Sequence, residues 1–123
     1  MPKEFSRTRR VGELVRRELA VLIASELNDP RVGMVTITAV DITKDLRLAK
    51  VRVTCLGSEE HRRKSVAALN NAAGFLRRCL SRSLELRVTP ALLFTYDSSI
   101  ERGIEMSSLI DSVSADRVDG QPE

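Results

Sequence analysis

The spacing of apolar side chains changes along the chain from a helical repeat to strict alternation. Within the first 27 residues the apolar positions lie mostly three or four apart: Val11, Leu14, Val15, Leu19, Leu22, Ile23 and Leu27. This spacing predicts an amphipathic helix that begins near Ser6 or Thr8 and ends at Leu27. Residues 28–30 read Asn-Asp-Pro, and we expect a turn there because proline cannot continue a helix.

Two segments rich in β-branched residues follow the first helix. Residues 34–42, MVTITAVDI, and residues 48–56, LAKVRVTCL, predict strands, and in the second segment apolar and polar positions alternate. The connection at 43–47 is short and polar, which favours an antiparallel hairpin with one buried face. Such a hairpin would bring four cationic residues close together: Lys44, Arg47, Lys50 and Arg52. A third apolar run, ALLFTY at 91–96, predicts a further short strand after Pro90.

A second helical pattern between these strands passes through a glycine. Ser58 is a candidate cap for a helix that runs from Glu59 to about Glu85, with an apolar stripe at Val66, Leu69, Ala73, Leu76 and Leu80. Gly74 lies inside the stripe, where glycine costs about 1 kcal/mol relative to alanine. We therefore expect at Gly74 either a kink or a place where another backbone approaches closely. The alternative is a plain break between two amphipathic helices with solvated arginines.

The predicted order is helix, strand, strand, kinked helix pair, strand. This order indicates an α+β fold with a three-stranded sheet and helices on one face. Ser98 followed by Glu101 is a candidate capping box for a short C-terminal helical segment. We expect one domain over residues 1–113 and a disordered polar tail over 114–123.

Charge is distributed unevenly along the chain. The net charge is +3, but residues 98–123 contain six acidic and two basic side chains, so residues 1–97 carry a net charge of +7. A basic folded part favours a polyanionic partner, and the 16 arginines against four lysines favour phosphate recognition. The sequence has no run of 18 apolar residues and no apolar stretch near its start, so we expect a cytoplasmic location and no membrane contact.

Residues that could carry catalysis are sparse. Cys55 and Cys79 fall on apolar faces and are expected to be buried free thiols. His61, the sole histidine, lies among charged residues and is expected to be solvated. We therefore expect no enzyme activity, no catalytic residues, no metal site and no cofactor. Three of the four aromatic residues (Phe75, Phe94 and Tyr96) are expected to pack in the core, which argues against base stacking on an aromatic platform.

Several motifs carry a resemblance to a known family. They are EFSRTRRVGELVRREL near the start, NDPRVGMVTITAVDITKDLRLAKVRVT in the middle, NAAGFLRRCL at the expected kink, and LRVTPALLFTYDSSIERGIEMSSLI toward the end. In this order, over roughly residues 3–110, the chain resembles the bacterial ribosome-binding factor A family, which has a type II KH-like fold. The family replaces the Gly-x-x-Gly loop of other KH domains with an Ala-x-Gly kink, and residues 72–74 match it.

The resemblance implies an assembly factor without enzymatic activity. Such a factor binds the small ribosomal subunit, promotes late rRNA processing and subunit maturation, and supports growth in the cold. We expect the chain to be a monomer when free and to contact rRNA, and we leave contact with ribosomal proteins open. The candidate RNA-binding residues are Lys3, Arg7, Arg9, Arg10, Ala72, Ala73, Gly74, Arg77, Arg78 and Arg82. The alternative function is a basic protein-interaction adaptor that makes no direct RNA contact.

Overall fold

The chain forms three helices and a three-stranded sheet. The computed structural model describes residues 2–27, 29–32 and 34–99, with side chains from Arg7 onward. Its elements are α1 (Pro2–Glu26), β1 (Val35–Ile42), β2 (Leu48–Cys55), α2 (Glu59–Asn71), α3 (Ala73–Ser83) and β3 (Ala91–Tyr96). α1 begins a turn earlier than predicted, with proline at its first position, where a missing N–H costs nothing. The expected C-terminal helical segment and the polar tail lie outside the described residues.

The sheet has the order β1-β2-β3. β1 pairs with β2 as the predicted antiparallel hairpin, from Val35 opposite Cys55 to Ile42 opposite Ala49, with one irregularity between Ile37 and Ala39. β3 pairs with β2 in parallel, and the α2–α3 pair forms the crossover between them. This arrangement confirms the predicted α+β class and the element order of a type II KH-like fold.

The core lies between one face of the sheet and the three helices. β2 contributes alternate buried residues, and the helices and β3 contribute the rest: Val15, Leu19, Val51, Val53, Leu69, Leu76, Leu80 and Phe94 are all nearly or fully buried. α1 packs against β1 and α3, while α2 packs against β2 and β3. Cys55 and Cys79 are buried free thiols, as predicted. Within the described ranges no helix is long and apolar enough to cross a bilayer.

One glycine allows α1 to approach β1 closely. Gly12 lies on the buried side of α1, and a Cβ atom built on it would lie 3.0 Å from the carbonyl oxygen of Val40 and 3.5 Å from a side-chain carbon of Ile42. A backbone oxygen in a paired strand has little freedom to move away. Residue 12 therefore sets how closely the first half of α1 can lie on the end of β1.

A buried carboxylate joins the two edge strands across β2. Asp97, which follows β3, donates its backbone N–H to the carbonyl of Val53 at 2.7 Å. Its side chain accepts a hydrogen bond of 2.5 Å from the Thr38 hydroxyl and one of 2.9 Å from the Ser99 backbone N–H. These hydrogen bonds, led by that from Thr38 and aided by the nearby Arg52 charge, lower the pKa of Asp97 to about 2. The ionised carboxylate thus holds β1 and the end of β3 in register.

The low pKa of Asp97 predicts acid sensitivity of the fold. A carboxyl group whose pKa is lower in the folded than in the unfolded state stabilises the fold fully above its unfolded value, near pH 4, and this contribution is lost as pH falls toward 2. We expect urea midpoints to fall over this interval, and to fall less steeply in Asp97→Asn. Hydrogen bonds from Arg31 lower the pKa of Asp29 to about 2 as well. Asp29 should therefore still contribute to the loss of stability in acid when Asp97 is replaced. An unchanged pH dependence in Asp97→Asn would contradict the assignment.

Candidate nucleic-acid interface

A single residue separates α2 from α3. Ala72 has φ −92° and ψ 3°, outside the helical region, and its N–H reaches the carbonyls of Ala68 and Leu69, each at 3.1 Å. Its carbonyl accepts the first hydrogen bond of α3, from the N–H of Leu76 at 2.9 Å. Ala72 thus ends one helix and begins the next, so the chain changes direction without a loop.

The expectation that Gly74 admits a close backbone is wrong. A Cβ atom on Gly74 would have ordinary contact with one atom, a terminal guanidinium nitrogen of Arg78 at 3.9 Å. Gly74 is exposed, and among the described residues the positive φ angles belong to Leu46 and Gly57. The kink lies at Ala72, whose conformation an alanine adopts. The structure therefore matches the alternative, a break between two amphipathic helices.

The arginines of α3 differ in what they contact. Arg78 and Arg82 are exposed and follow Gly74 at intervals of four residues, so the three positions form one stripe along the helix. Arg77 instead donates two hydrogen bonds, of 3.0 and 2.8 Å, to the carbonyl oxygen of Thr89 in the segment before β3. The first turn of α3 carries no acidic residue, and its last turn carries Arg82.

Hydrogen bonds and packing bring several basic segments to one end of the sheet, here called the hairpin end. The start of α1 lies beside the end of β1, since Thr8 and Arg9 line one cleft with residues 40–42. β1 then enters the hairpin turn at 43–47, where the carbonyl of Arg47 accepts from the N–H of Ala91 at 2.8 Å. The segment that precedes Ala91 carries Arg87 as well as Thr89, to which Arg77 is bound.

Three cationic residues of the hairpin end were not among the candidate RNA-binding residues predicted from the sequence. They are Lys44, Arg47 and Arg87, all exposed. The KDL turn at 44–46 was the sequence signal for Lys44 and Arg47, because hydrogen bonds inside the turn fix its backbone. The Thr43 hydroxyl donates to Asp45 at 2.7 Å, and the Asp45 carboxylate accepts from the N–H of Arg47 at 3.1 Å. No local pattern marks Arg87, since its position depends on the parallel pairing of β3.

Carboxylates near the hairpin end are already engaged. Asp41 forms an ion pair of 3.0 Å with Arg52, and Glu13 forms one of 2.6 Å with Arg16. Hydrogen bonds, first that from Thr43, lower the pKa of Asp45. Among residues 34–99, no ion pair involves Lys44, Arg47, Arg78, Arg82 or Arg87. These five side chains therefore supply positive charge that no ion pair among residues 34–99 neutralises.

The remaining candidates lie on α1 and at the kink. Arg7 and Arg10 are exposed on the first turns of α1, while the side chain of Lys3 lies outside the described ones. Phe75, expected in the core, is 38% exposed next to Gly74, whereas Phe94 is buried as expected. The reason is helical spacing: Leu76, Cys79 and Leu80 take the inner face of α3 and leave Phe75 at its margin.

Asn70 completes the free edge of β3. Its side-chain amide donates to the carbonyl of Phe94 at 3.0 Å, and its side-chain oxygen accepts from the N–H of Phe94 at 2.8 Å. A carboxamide that pairs with both backbone groups of one residue acts as a one-residue neighbouring strand. The end of α2, and with it the kink, is thereby fixed to the sheet.

Comparison with known proteins identifies the family. A model described as ribosome-binding factor A matches residues 7–110. Ribosome-binding factor A of Nitrosococcus oceani is 54% identical over 123 residues, covering 100% of this chain and 97% of that protein. The chain belongs to the ribosome-binding factor A family.

Solved structures of this family share the fold. A crystal structure of ribosome-binding factor A from Thermus thermophilus aligns with a TM-score of 0.64 and 30% identity, covering 72% of this chain and 94% of that one. A Thermus thermophilus ribosome binding factor A homology model, fitted into the cryo-EM map of its complex with the 30S subunit, aligns with a TM-score of 0.60 and 31% identity, covering 71% and 91%. The arrangement of helices and strands in this chain is therefore that of its family.

Replacement of Asn70 should destabilise this family member. Asn70→Ala removes both partners of Phe94 at the strand edge, and an unsatisfied buried polar group costs about 1 to 3 kcal/mol. Urea unfolding should show that loss. The neighbouring Asn71, which is exposed, provides the control, since Asn71→Ala should remain within about 0.5 kcal/mol of the parent. Equal stability of the two variants would contradict the edge role.

Two glycine-to-alanine changes should have opposite effects. Gly74→Ala adds a methyl group to open space and should stabilise the fold by about 0.5 to 1 kcal/mol through helix propensity. Gly12→Ala gains the same propensity but crowds the Val40 carbonyl, and overpacking of about 1 to 3 kcal/mol should leave a net loss. Urea midpoints measure both. A destabilised Gly74→Ala would restore the close-approach interpretation.

Proposed function

We propose that the chain binds the small ribosomal subunit, with the hairpin end and the exposed stripe of α3 against rRNA phosphates. The observation that carries this proposal is the group of cations from separate segments that the fold brings together: Arg9, Lys44, Arg47, Arg77 and Arg87. Clustered Arg and Lys side chains neutralise phosphates and release counterions from RNA. A 30S complex of the Thermus relative supports the same class of partner.

Recognition in this proposal depends on phosphates and RNA shape more than on bases. The chain has no Gly-x-x-Gly loop, so the four-nucleotide grip of other KH domains has no counterpart at residues 72–74. Arg78 and Arg82 offer planar forks of donors suited to phosphate oxygens. Phe75 is 38% exposed beside Gly74, so a contact with a single unpaired base would be the one aromatic contribution in this proposal.

The proposed role is that of an assembly factor in the cytoplasm. A monomer that holds an immature rRNA conformation through many phosphate contacts promotes late rRNA processing and maturation by binding, with no catalytic step of its own. Support of growth in the cold follows from the same role, because low temperature deepens the kinetic traps of RNA folding.

A protein-interaction adaptor is the second candidate, and one observation favours it. At the end of the sheet opposite the hairpin, Met34 is 88% and Leu56 is 85% exposed. Met34 precedes and Leu56 follows the terminal pair of the β1–β2 ladder, Val35 opposite Cys55, so both residues lie at this end of the sheet. Exposed apolar pairs of this kind are common in contacts between proteins. An adaptor contact at this end differs from an RNA contact in its response to salt.

Salt dependence should distinguish the two functions. If about six phosphates are engaged, the logarithm of the association constant for purified small subunits should fall against the logarithm of salt concentration with a slope of about −4 to −5. An apolar adaptor contact would respond little to salt. Filter binding from low to moderate salt measures the slope. A flat response would rule out the phosphate-based proposal and leave the adaptor.

Charge variants should locate the contact. Arg78→Ala with Arg82→Ala removes two exposed charges of α3 and should weaken subunit binding while the urea midpoint stays nearly constant. Lys44→Ala with Arg47→Ala should do the same for the hairpin end. Arg17→Ala with Arg63→Ala is the matched control, since it also removes two exposed charges but from outside both surfaces. Binding lost equally in the control would show an effect of net charge alone.

Arg77 needs separate treatment because it also holds the Thr89 segment. Arg77→Ala should lower stability by about 1 kcal/mol through the two lost hydrogen bonds, in addition to any loss of binding. Arg77→Lys keeps the charge but has no planar fork, so it should keep more of the binding than of the stability. Urea melts and filter binding of the two variants measure these effects separately.

A further inference from the structure

One carboxylate lies inside the cationic turn of the hairpin end. Residues 43–47 connect β1 to β2, and Asp45 stands between Lys44 and Arg47, with all three side chains exposed. A negative charge at this position repels RNA phosphates and so weakens the contact that the two cations favour. Asp45 is bound through one oxygen, since Oδ1 accepts from the Thr43 hydroxyl at 2.7 Å and from the N–H of Arg47 at 3.1 Å. Oδ2 accepts from no other residue in the part of the chain that the structure describes.

The turn holds this carboxylate in place in the free protein. The Thr43 hydroxyl that donates to Asp45 also accepts from the N–H of Leu48 at 3.1 Å, and the N–H of Leu46 donates to the Thr43 carbonyl at 2.8 Å. Hydrogen bonds, first that from Thr43, keep the pKa of Asp45 below its usual range, so the group is ionised at neutral pH. Oδ2 is therefore a charged acceptor that is held by a fixed turn and is available to a partner.

The turn also adopts a conformation that its own sequence does not favour. Leu46 has a φ of 62°, in the left-handed region, where a hairpin turn normally has glycine or asparagine. Leucine is unfavourable there because its Cβ atom crowds the backbone. Residues held in such conformations are concentrated at binding sites. The hydrogen bonds of Thr43 and Asp45 thus maintain a conformation that lowers stability, as expected of a turn that contacts a partner.

We propose that Asp45 accepts a hydrogen bond from the Watson–Crick edge of an unpaired guanine, while Lys44 and Arg47 contact the flanking phosphates. This inference rests on the RNA contact proposed above and names one base within it. Guanine presents adjacent N1–H and N2–H donors on that edge. Adenine and cytosine place a ring acceptor beside the amino group, and uracil has a carbonyl on either side of its N3–H. A carboxylate oxygen therefore fits guanine best among the four bases.

Asp45→Asn separates this role from a purely structural one. The variant keeps the Oδ1 acceptor for Thr43 and for the N–H of Arg47, but an amide that donates replaces Oδ2. Filter binding of the full chain uses two single-stranded RNA dodecamers, one alternating uridine with guanosine and the other alternating uridine with adenosine. The parent should bind the guanosine RNA about fivefold more tightly than the adenosine RNA. The variant should lose this preference and bind the adenosine RNA more tightly than the parent does, because one repulsive charge is gone.

Two further sets of variants serve as controls. Glu85→Gln removes one exposed negative charge from outside the turn, so it should leave the preference for guanosine unchanged. Thr43→Ser keeps the hydroxyl that binds Asp45 and should keep the preference, whereas Thr43→Val removes that hydrogen bond and should reduce it. Urea melts and far-UV circular dichroism verify that each variant is folded. The parental preference is measured without any variant.

A parent with equal affinity for the two RNAs would overturn the proposal. So would an Asp45→Asn variant that binds both RNAs more tightly and keeps their ratio, because Oδ2 would then be only solvated. A preference for RNA over the matching DNA that Asp45→Asn abolishes, with no preference for guanosine, would also overturn it, because the acceptor would then bind a ribose 2′-hydroxyl. These three results leave the proposed function intact when both RNAs bind with a steep salt dependence. A flat salt response would contradict the proposed function and this inference with it.

Discussion

The parallel pairing of β2 with β3 is the constraint on which the rest of the structure depends. A parallel neighbour must enter the sheet at the end where β2 itself begins, so the chain has to return across the sheet after β2. α2 and α3 make that return, and the break at Ala72 lets two short helices cover the face. The same return places the segment before β3 beside the hairpin, through the bond from Ala91 to Arg47. Topology thus assembles the basic surface.

Sequence periodicity was enough for most of the fold. The strands at 34–42, 48–56 and 91–96 and the cap at Ser58 match the structure closely, because alternation and capping are local signals. The roles of the glycines were not accessible in this way. Gly74 drew attention because it interrupts a stripe, yet it faces open space, whereas Gly12 lies in a regular helix and its constraint arises from Val40, 28 positions later. A close approach between distant segments leaves no mark on local spacing.

The difference between local signals and contacts of distant segments also explains which candidate site residues the sequence could indicate. Arg78 and Arg82 follow a visible break and are exposed as expected. Asn70 has the sequence character of a solvated helix residue, but both its hydrogen bonds go to Phe94, 24 positions away. Arg87 likewise joins the hairpin end only through the β2–β3 pairing. The features that the sequence did not indicate, the role of Asn70 and the position of Arg87, both depend on tertiary contacts with or next to β3.

Arg77 would combine a structural contact with the proposed RNA contact in one side chain. The guanidinium donates to a neutral carbonyl, so its charge is not compensated, and five N–H donors leave some available after two bonds to Thr89. A phosphate can therefore bind Arg77 without breaking the contact that holds the Thr89 segment. The two hydrogen bonds also hold the side chain in place in the free protein, which would reduce the conformational entropy lost on the proposed binding of RNA. Among the described residues, Arg78 and Arg82 are without such a bond, so in the proposed complex they would lose more of that entropy than Arg77 for each phosphate contact.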